Sequence, residues 1–172
     1  MSYLTFDRIR NYSNTLGRAF TQNEHAKKYT KKTPVFLSYW HEDQELIKAV
    51  IGFLAQFGRS VHIDWLPNQI PRTTNATTAI SIKEKIMAST KFIVLATPNS
   101  IESKWIPWEL GIADGKKGLN SIAILPIVQS STIWQEKEYY GIYNVIEEQV
   151  AGQWTVVSPN GGNRALRTWL EG

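Results

Sequence analysis

Three short apolar runs restrict what this chain can fold into: Val35-Phe36-Leu37-Ser38-Tyr39, Phe92-Ile93-Val94-Leu95-Ala96 and Ile122-Ala123-Ile124-Leu125-Pro126-Ile127-Val128. Each reads as a buried strand. A fourth run, Val61-His62-Ile63-Asp64-Trp65, joins them. Helical periodicity fills the gaps. Glu45 to Phe57 sets Leu46, Val50, Phe53, Leu54 and Phe57 on one face, and Gly58 stops it. Ala79 to Ala88 turns Ile82 and Ile86 inward, after a loop over Leu66–Thr78 that is rich in proline and threonine. Strands that alternate with helices in this way predict an α/β fold, a parallel sheet of four or five strands flanked by helices.

Residues 33–128 form the predicted core. Residues 1–32 read as an N-terminal extension. Leu4, Ile9, Tyr12, Leu16 and Phe20 make a loose helical stripe there, and Lys27, Lys28, Lys31 and Lys32 follow in a solvated linker. Residues 129–172 read as a C-terminal extension packing on the core. It holds an aromatic block at Tyr139–Tyr143, a last strand at Trp154–Val157, a turn at Ser158–Gly162 and a short helix from Arg164 to Leu170. At 172 residues the chain can bury a core without covalent staples. It has no cysteine, which excludes disulfides and zinc–thiolate sites. No apolar run reaches the ~18 residues of a membrane span, and Met1–Arg8 lacks a signal-peptide apolar region. A cytoplasmic protein, neither in nor on a membrane, is the expectation. The formal charge of +4 suits an anionic ligand and is too small to argue for nucleic acid.

In parallel sheets ligands sit beyond the carboxyl ends of the strands. Polar residues gather there: Ser38, Tyr39, His41 and Asp43 after the first strand, Asp64 and Trp65 after the second, and Asn99 to Glu109 after the third. Pro107 places a helix start near Ile106 or Pro107. Glu109 would then be an exposed first-turn acid favoured by the helix dipole, with Trp105 at the mouth of the segment. A carboxylate beside indoles suits a sugar or nucleotide; a helix-start acid packed on core tryptophans is the other reading. The Trp-x-x-x-Glu pattern occurs again at Trp134–Glu138, without a strand-loop-helix setting. Asp64 also reads as a loop cap. Ser103 reads as a partner of backbone or of Glu109. Ser38 lacks a histidine–acid pair that would make it a nucleophile. The scattered histidines, His25, His41 and His62, argue against a metal site. No phosphate-binding glycine loop occurs.

Together, Val35–Tyr39, Asp43, the Gly58–Asp64 block and Ser103–Glu109, in this order and at this spacing, resemble a TIR (Toll/interleukin-1 receptor) domain over about residues 33–128. The chain looks like the bacterial single-domain branch found in anti-phage systems such as Thoeris. The tail from Tyr140 to Leu170 is similar to the tails of those chains. The resemblance implies a flavodoxin-like fold and an enzyme that consumes NAD+ as substrate, with no cofactor. Glu109 is then the catalytic residue, with Ser38, Tyr39, Trp40, Asp64, Trp65, Ser103 and Trp105 around the substrate. It also implies homo-oligomers through TIR–TIR contacts at Leu66–Thr78, and a downstream effector that responds to a cyclic or conjugated ADP-ribose. That loop departs from the family's acidic, glycine-containing pattern. A non-enzymatic TIR interaction module and a nucleoside 2-deoxyribosyltransferase-like enzyme are the alternatives.

Overall fold

The computed structural model describes residues 2–12, 34–57, 62–63, 76–130, 134 and 137–172. The strands are β1 (Leu4–Thr5), β2 (Pro34–Ser38), β3 (His62–Ile63), β4 (Lys91–Ala96), β5 (Ile122–Val128), β6 (Asn144–Val150), β7 (Gln153–Val157) and β8 (Asn163–Ala165). The α-helices are α1 (Phe6–Asn11), α2 (Gln44–Ala55), α3 (Ala76–Ala88), α4 (Trp105–Lys117) and α5 (Leu166–Glu171).

The sheet runs β3-β2-β4-β5-β6-β7-β8. The first five in that path are parallel, and β7 and β8 add on antiparallel. Counted from β2 along the chain, the parallel strands stand in the order 2-1-3-4-5, the flavodoxin-like arrangement. Its switch point lies between β2 and β4, where the chain leaves the sheet in opposite directions. A crevice must open there beyond the strands' carboxyl ends.

Every residue of β4 and β5 is buried, as central strands covered on both faces require. Alternation divides them between two cores. Phe36, Val94 and Ile124 face α3 and α4, with Ile82, Ile86, Ile106 and Leu110. Val35, Leu37, Ile93 and Leu125 face the other way, onto α2, Trp154 and Trp169. Ser38 is two residues beyond Phe36, so it belongs to the α4 side.

Helix α2 is buried on most of its circumference, with Leu46, Ile47, Ala49, Val50, Ile51, Phe53 and Leu54 all withdrawn from water. Such a helix needs cover on the side away from the sheet. The N-terminal segment supplies it: Tyr12 meets the Phe53 ring edge-on at 5.3 Å. The segment is woven into the sheet. Leu4 and Thr5 pair in parallel with Ile127 and Val128, and Ser2 bridges to Glu148. Arg8 closes the arrangement with two bonds to the Glu148 carboxylate, at 2.7 and 2.9 Å.

Some elements differ from expectation. Helix α3 begins at Ala76, so Ala76–Thr78 are helical; the rest of the predicted loop, like Asp64 and Trp65, lies outside the described residues. β6 was not predicted. The predicted helix at Arg164 starts at Leu166, because Asn163–Ala165 pair with β7.

Candidate active site

Helix α4 starts one or two residues earlier than Pro107 suggests. Ser103 sets that start: its Oγ accepts the backbone N–H of Trp105 at 3.3 Å and of Ile106 at 3.2 Å. Two of the N–H groups left open at a helix start are thereby satisfied. Glu109 becomes the fifth helical residue, past the first turn. It is only 8% exposed, against the sequence expectation of an exposed first-turn acid. It shares the buried face of α4 with Ile106, Leu110 and Ala113, which points it at the sheet rather than at water.

There the Ser38 hydroxyl at the end of β2 donates a hydrogen bond to Glu109 Oε2. Burial pushes the Glu109 carboxyl up to about 7, and the Ser38 bond only partly opposes it. Next to Ser38, the half-buried Tyr39 phenol is pushed up to about 12, first by burial and then by the charge of Glu109. A carboxylate that titrates near neutrality at a sheet's switch point has the placement and proton affinity of a functional acid.

The other predicted residues divide. Trp105 is half-buried against the apolar cluster that includes Ile106 and Leu110, and its ring meets Trp108 edge-to-face at 5.2 Å. Trp40 packs against the same cluster and lies 4.1 Å from the His41 ring. Ser103 caps the helix and does not bond Glu109. Asp64 and Trp65 lie outside the described residues. In the second Trp-x-x-x-Glu pattern, Glu138 is exposed on a 3-10 turn, and Trp134 stacks on Tyr140.

Asp43 was not among the predicted site residues. It is 3% exposed. It accepts hydrogen bonds from Thr97 Oγ1 at 2.5 Å and Asn99 Nδ2 at 3.0 Å, joining the loops that follow β2 and β4. An aspartate just before a helix reads from sequence as a cap, which hides such a role.

A family model described as TIR domain matches residues 35–146, most of the chain. The chain belongs to the TIR-domain family. It is similar to a protein of Bacillus cereus (strain MSX-D12) named probable 3' cyclic ADP-D-ribose synthase ThsB'. The two are 31% identical over 134 residues, covering 76% of this chain and 66% of that protein. It is also similar to a protein of Cytobacillus dafuensis named putative cyclic ADP-D-ribose synthase TIR2, with 29% identity over 79 residues, 44% of this chain and 21% of that one. The chain thus spans just under two thirds of the first relative and about a fifth of the second. No helix among the described residues is long and apolar enough to cross a membrane.

Proposed function

We propose that this TIR protein consumes NAD+, breaking the nicotinamide–ribose bond and closing the ADP-ribosyl moiety into a cyclic isomer that serves as a signal in bacterial anti-phage defence. The observation that carries this reading is Glu109, a buried carboxylate bonded by Ser38 at the switch point of the sheet. The relatives named as cyclic ADP-D-ribose synthases support it.

The chemistry needs little else. Nicotinamide leaves as a neutral base, because its ring nitrogen is already cationic in NAD+, so no strong acid must assist it. The ribose left behind develops oxocarbenium character. Ionised Glu109 stabilises that charge and holds the ribose hydroxyls, an arrangement set before the reaction begins. One carboxylate suffices, where ordinary glycosidases use two. Ser38 keeps the carboxylate aimed and favours its charged form. Tyr39, Trp40 and Trp105 wall the site with apolar surface for the nicotinamide ring and keep water out. A nucleophile of the same molecule, an adenine nitrogen or a ribose hydroxyl, then bonds to the ribose C1 and releases its proton. Asp64 and Trp65 join the pocket on the family resemblance. The protein works in the cytoplasm as a homo-oligomer, and its product reaches a downstream effector.

Incubation of the purified protein with NAD+, and separately with mixed deoxynucleosides, tests this by mass spectrometry. Release of nicotinamide with a cyclic ADP-ribose is the expected result. Base exchange among deoxynucleosides would instead mark a deoxyribosyltransferase. No turnover of either, at high protein concentration, would leave an interaction module.

A further inference from the structure

We propose that Asp43 is a positioning residue: its carboxylate clamps the loop after β2 to the loop after β4 and thereby fixes where α4 begins. This rests on Glu109 being the catalytic carboxylate. Asp43 occupies the position before α2 where an aspartate would ordinarily accept the N–H groups of the first turn. Its side chain makes no such bond. It bonds Thr97 and Asn99 after β4 instead. No ion pair involves it among the described residues, and this buried side chain is satisfied by these neutral donors.

From Thr97 the bonds run on without a gap. Its hydroxyl donates to Asp43 and accepts the N–H of Ser100 at 3.0 Å. The Ser100 hydroxyl accepts the Thr97 N–H at 3.1 Å and donates to the Thr97 carbonyl at 2.8 Å. The Ser100 carbonyl takes the N–H of Ser103 at 3.2 Å, and Ser103 caps α4. In the other direction the Asp43 N–H donates to the Trp40 carbonyl at 2.9 Å, directly after Ser38 and Tyr39. One carboxylate therefore joins both walls of the site. The Ser38–Glu109 bond spans those same walls, so it forms only while the two loops keep their relative position. Asp43 gives the Thr97 hydroxyl a single direction, and linked hydrogen bonds of this kind reinforce one another.

The test compares Asp43→Asn, Thr97→Val and Thr97→Ser in kcat, KM for NAD+ and the pH midpoint of activity. Asp43→Asn and Thr97→Val should lower kcat about 10- to 100-fold, as small misplacements of reacting groups do. KM should change little. The pH midpoint should rise, because Glu109 loses the Ser38 bond that favours its charge. Thr97→Ser keeps the hydroxyl and should restore kcat and midpoint. Ser89→Ala controls for stability alone: Ser89 bonds the Ile86 carbonyl at 2.7 Å before β4, at the opposite end of the strands. If Asp43→Asn does not fold, Asn99→Ala removes an exposed donor to the same carboxylate and should show a smaller loss of the same kind. The proposal is overturned if Thr97→Val keeps the wild-type kcat and midpoint, or changes only as Ser89→Ala does. Glu109→Gln is run alongside. If that variant still cleaves NAD+, the reading of Glu109 falls; if it is inactive while Thr97→Val is not, only the role of Asp43 falls.

Discussion

Replacing Glu109 by Gln should make the protein more stable and much less active. A glutamate at its ordinary value of 4.5 in the unfolded chain rises to about 7 in the fold. The native state thus binds its proton more tightly. Its contribution to stability is complete below about pH 4.5 and is lost as pH rises through 7. The gap of roughly 2.5 units corresponds to about 3 kcal/mol by pH 8. Glutamine has the same size, accepts the Ser38 hydroxyl through its amide oxygen and carries no charge to desolvate. Its buried NH2 group lacks an assured partner, which takes back about 1 kcal/mol. Glu109→Gln should therefore melt higher than wild type at pH 8 by roughly 4–8 °C, at about 2–4 °C per kcal/mol for a chain of this size. The difference should vanish near pH 5 and reverse slightly below it, where only the cost of the amide remains. Cleavage of NAD+ should fall about 10²–10³-fold with the loss of the preorganised charge. Thermal melts from pH 4.5 to 8.5, with nicotinamide release assayed in parallel, read both. A variant that melts below wild type by the same margin at pH 5 and pH 8, and keeps its activity, would make Glu109 a structural acid.

Three further outcomes follow from the same geometry. The kcat/KM of the wild type should rise with pH through about 7, as Glu109 ionises, and Ser38→Ala should move that rise to higher pH, because the hydroxyl that favours the charged form is gone. Arg8→Ala should cost about 1–3 kcal/mol in denaturant unfolding, the lower figure reflecting that Arg8 is 39% exposed; Glu148, held down at about 2 chiefly by Arg8, gives stability that is present above pH 4.5 and lost as pH falls toward 2, so the Arg8→Ala difference should shrink in acid. Glu138→Gln should leave turnover unchanged, since that glutamate of the second Trp-x-x-x-Glu pattern is exposed on a 3-10 turn.

The parallel strands were readable because buried strands carry uninterrupted apolar runs. β6 escaped because Glu147 and Glu148 occupy its middle and read as solvent-facing. Both are buried, and Glu148 is satisfied by Arg8, Ser2 and the Gly152 N–H, partners that lie far away in sequence or across a turn. The N-terminal stripe was visible as Leu4, Ile9 and Tyr12. Its insertion beside β5 was not, since a two-residue strand has no periodicity to read. Glu109 stands out in the sequence by its setting between a strand and a helix, but its place past the first turn required the helix to begin at Trp105. That start is decided by the Ser103 hydroxyl, whereas Pro107 drew the expected boundary later. Asp43 was legible as part of the family pattern but not as a link to Thr97, because no local spacing joins residues 54 apart.

Burying a carboxylate at a working site has a reason in the proposed chemistry. A well-solvated Glu109 would be ionised at every physiological pH, but the water that solvated it would also attack the ribose and yield linear ADP-ribose. The dry surroundings that raise the carboxyl toward 7 are the same surroundings that leave the ribose to an intramolecular nucleophile. Trp105, half-buried at the start of α4, is the side chain whose removal tests whether these effects go together. Trp105→Ala should admit water, bring the activity midpoint down from about 7 toward the ordinary 4.5 and raise the ratio of linear to cyclic product. Ser103 still caps the helix in this variant, so α4 keeps its start. A midpoint that falls while the product ratio stays fixed would show that exclusion of water by this wall does not select cyclisation, and that the choice lies in how the nucleophile itself is held.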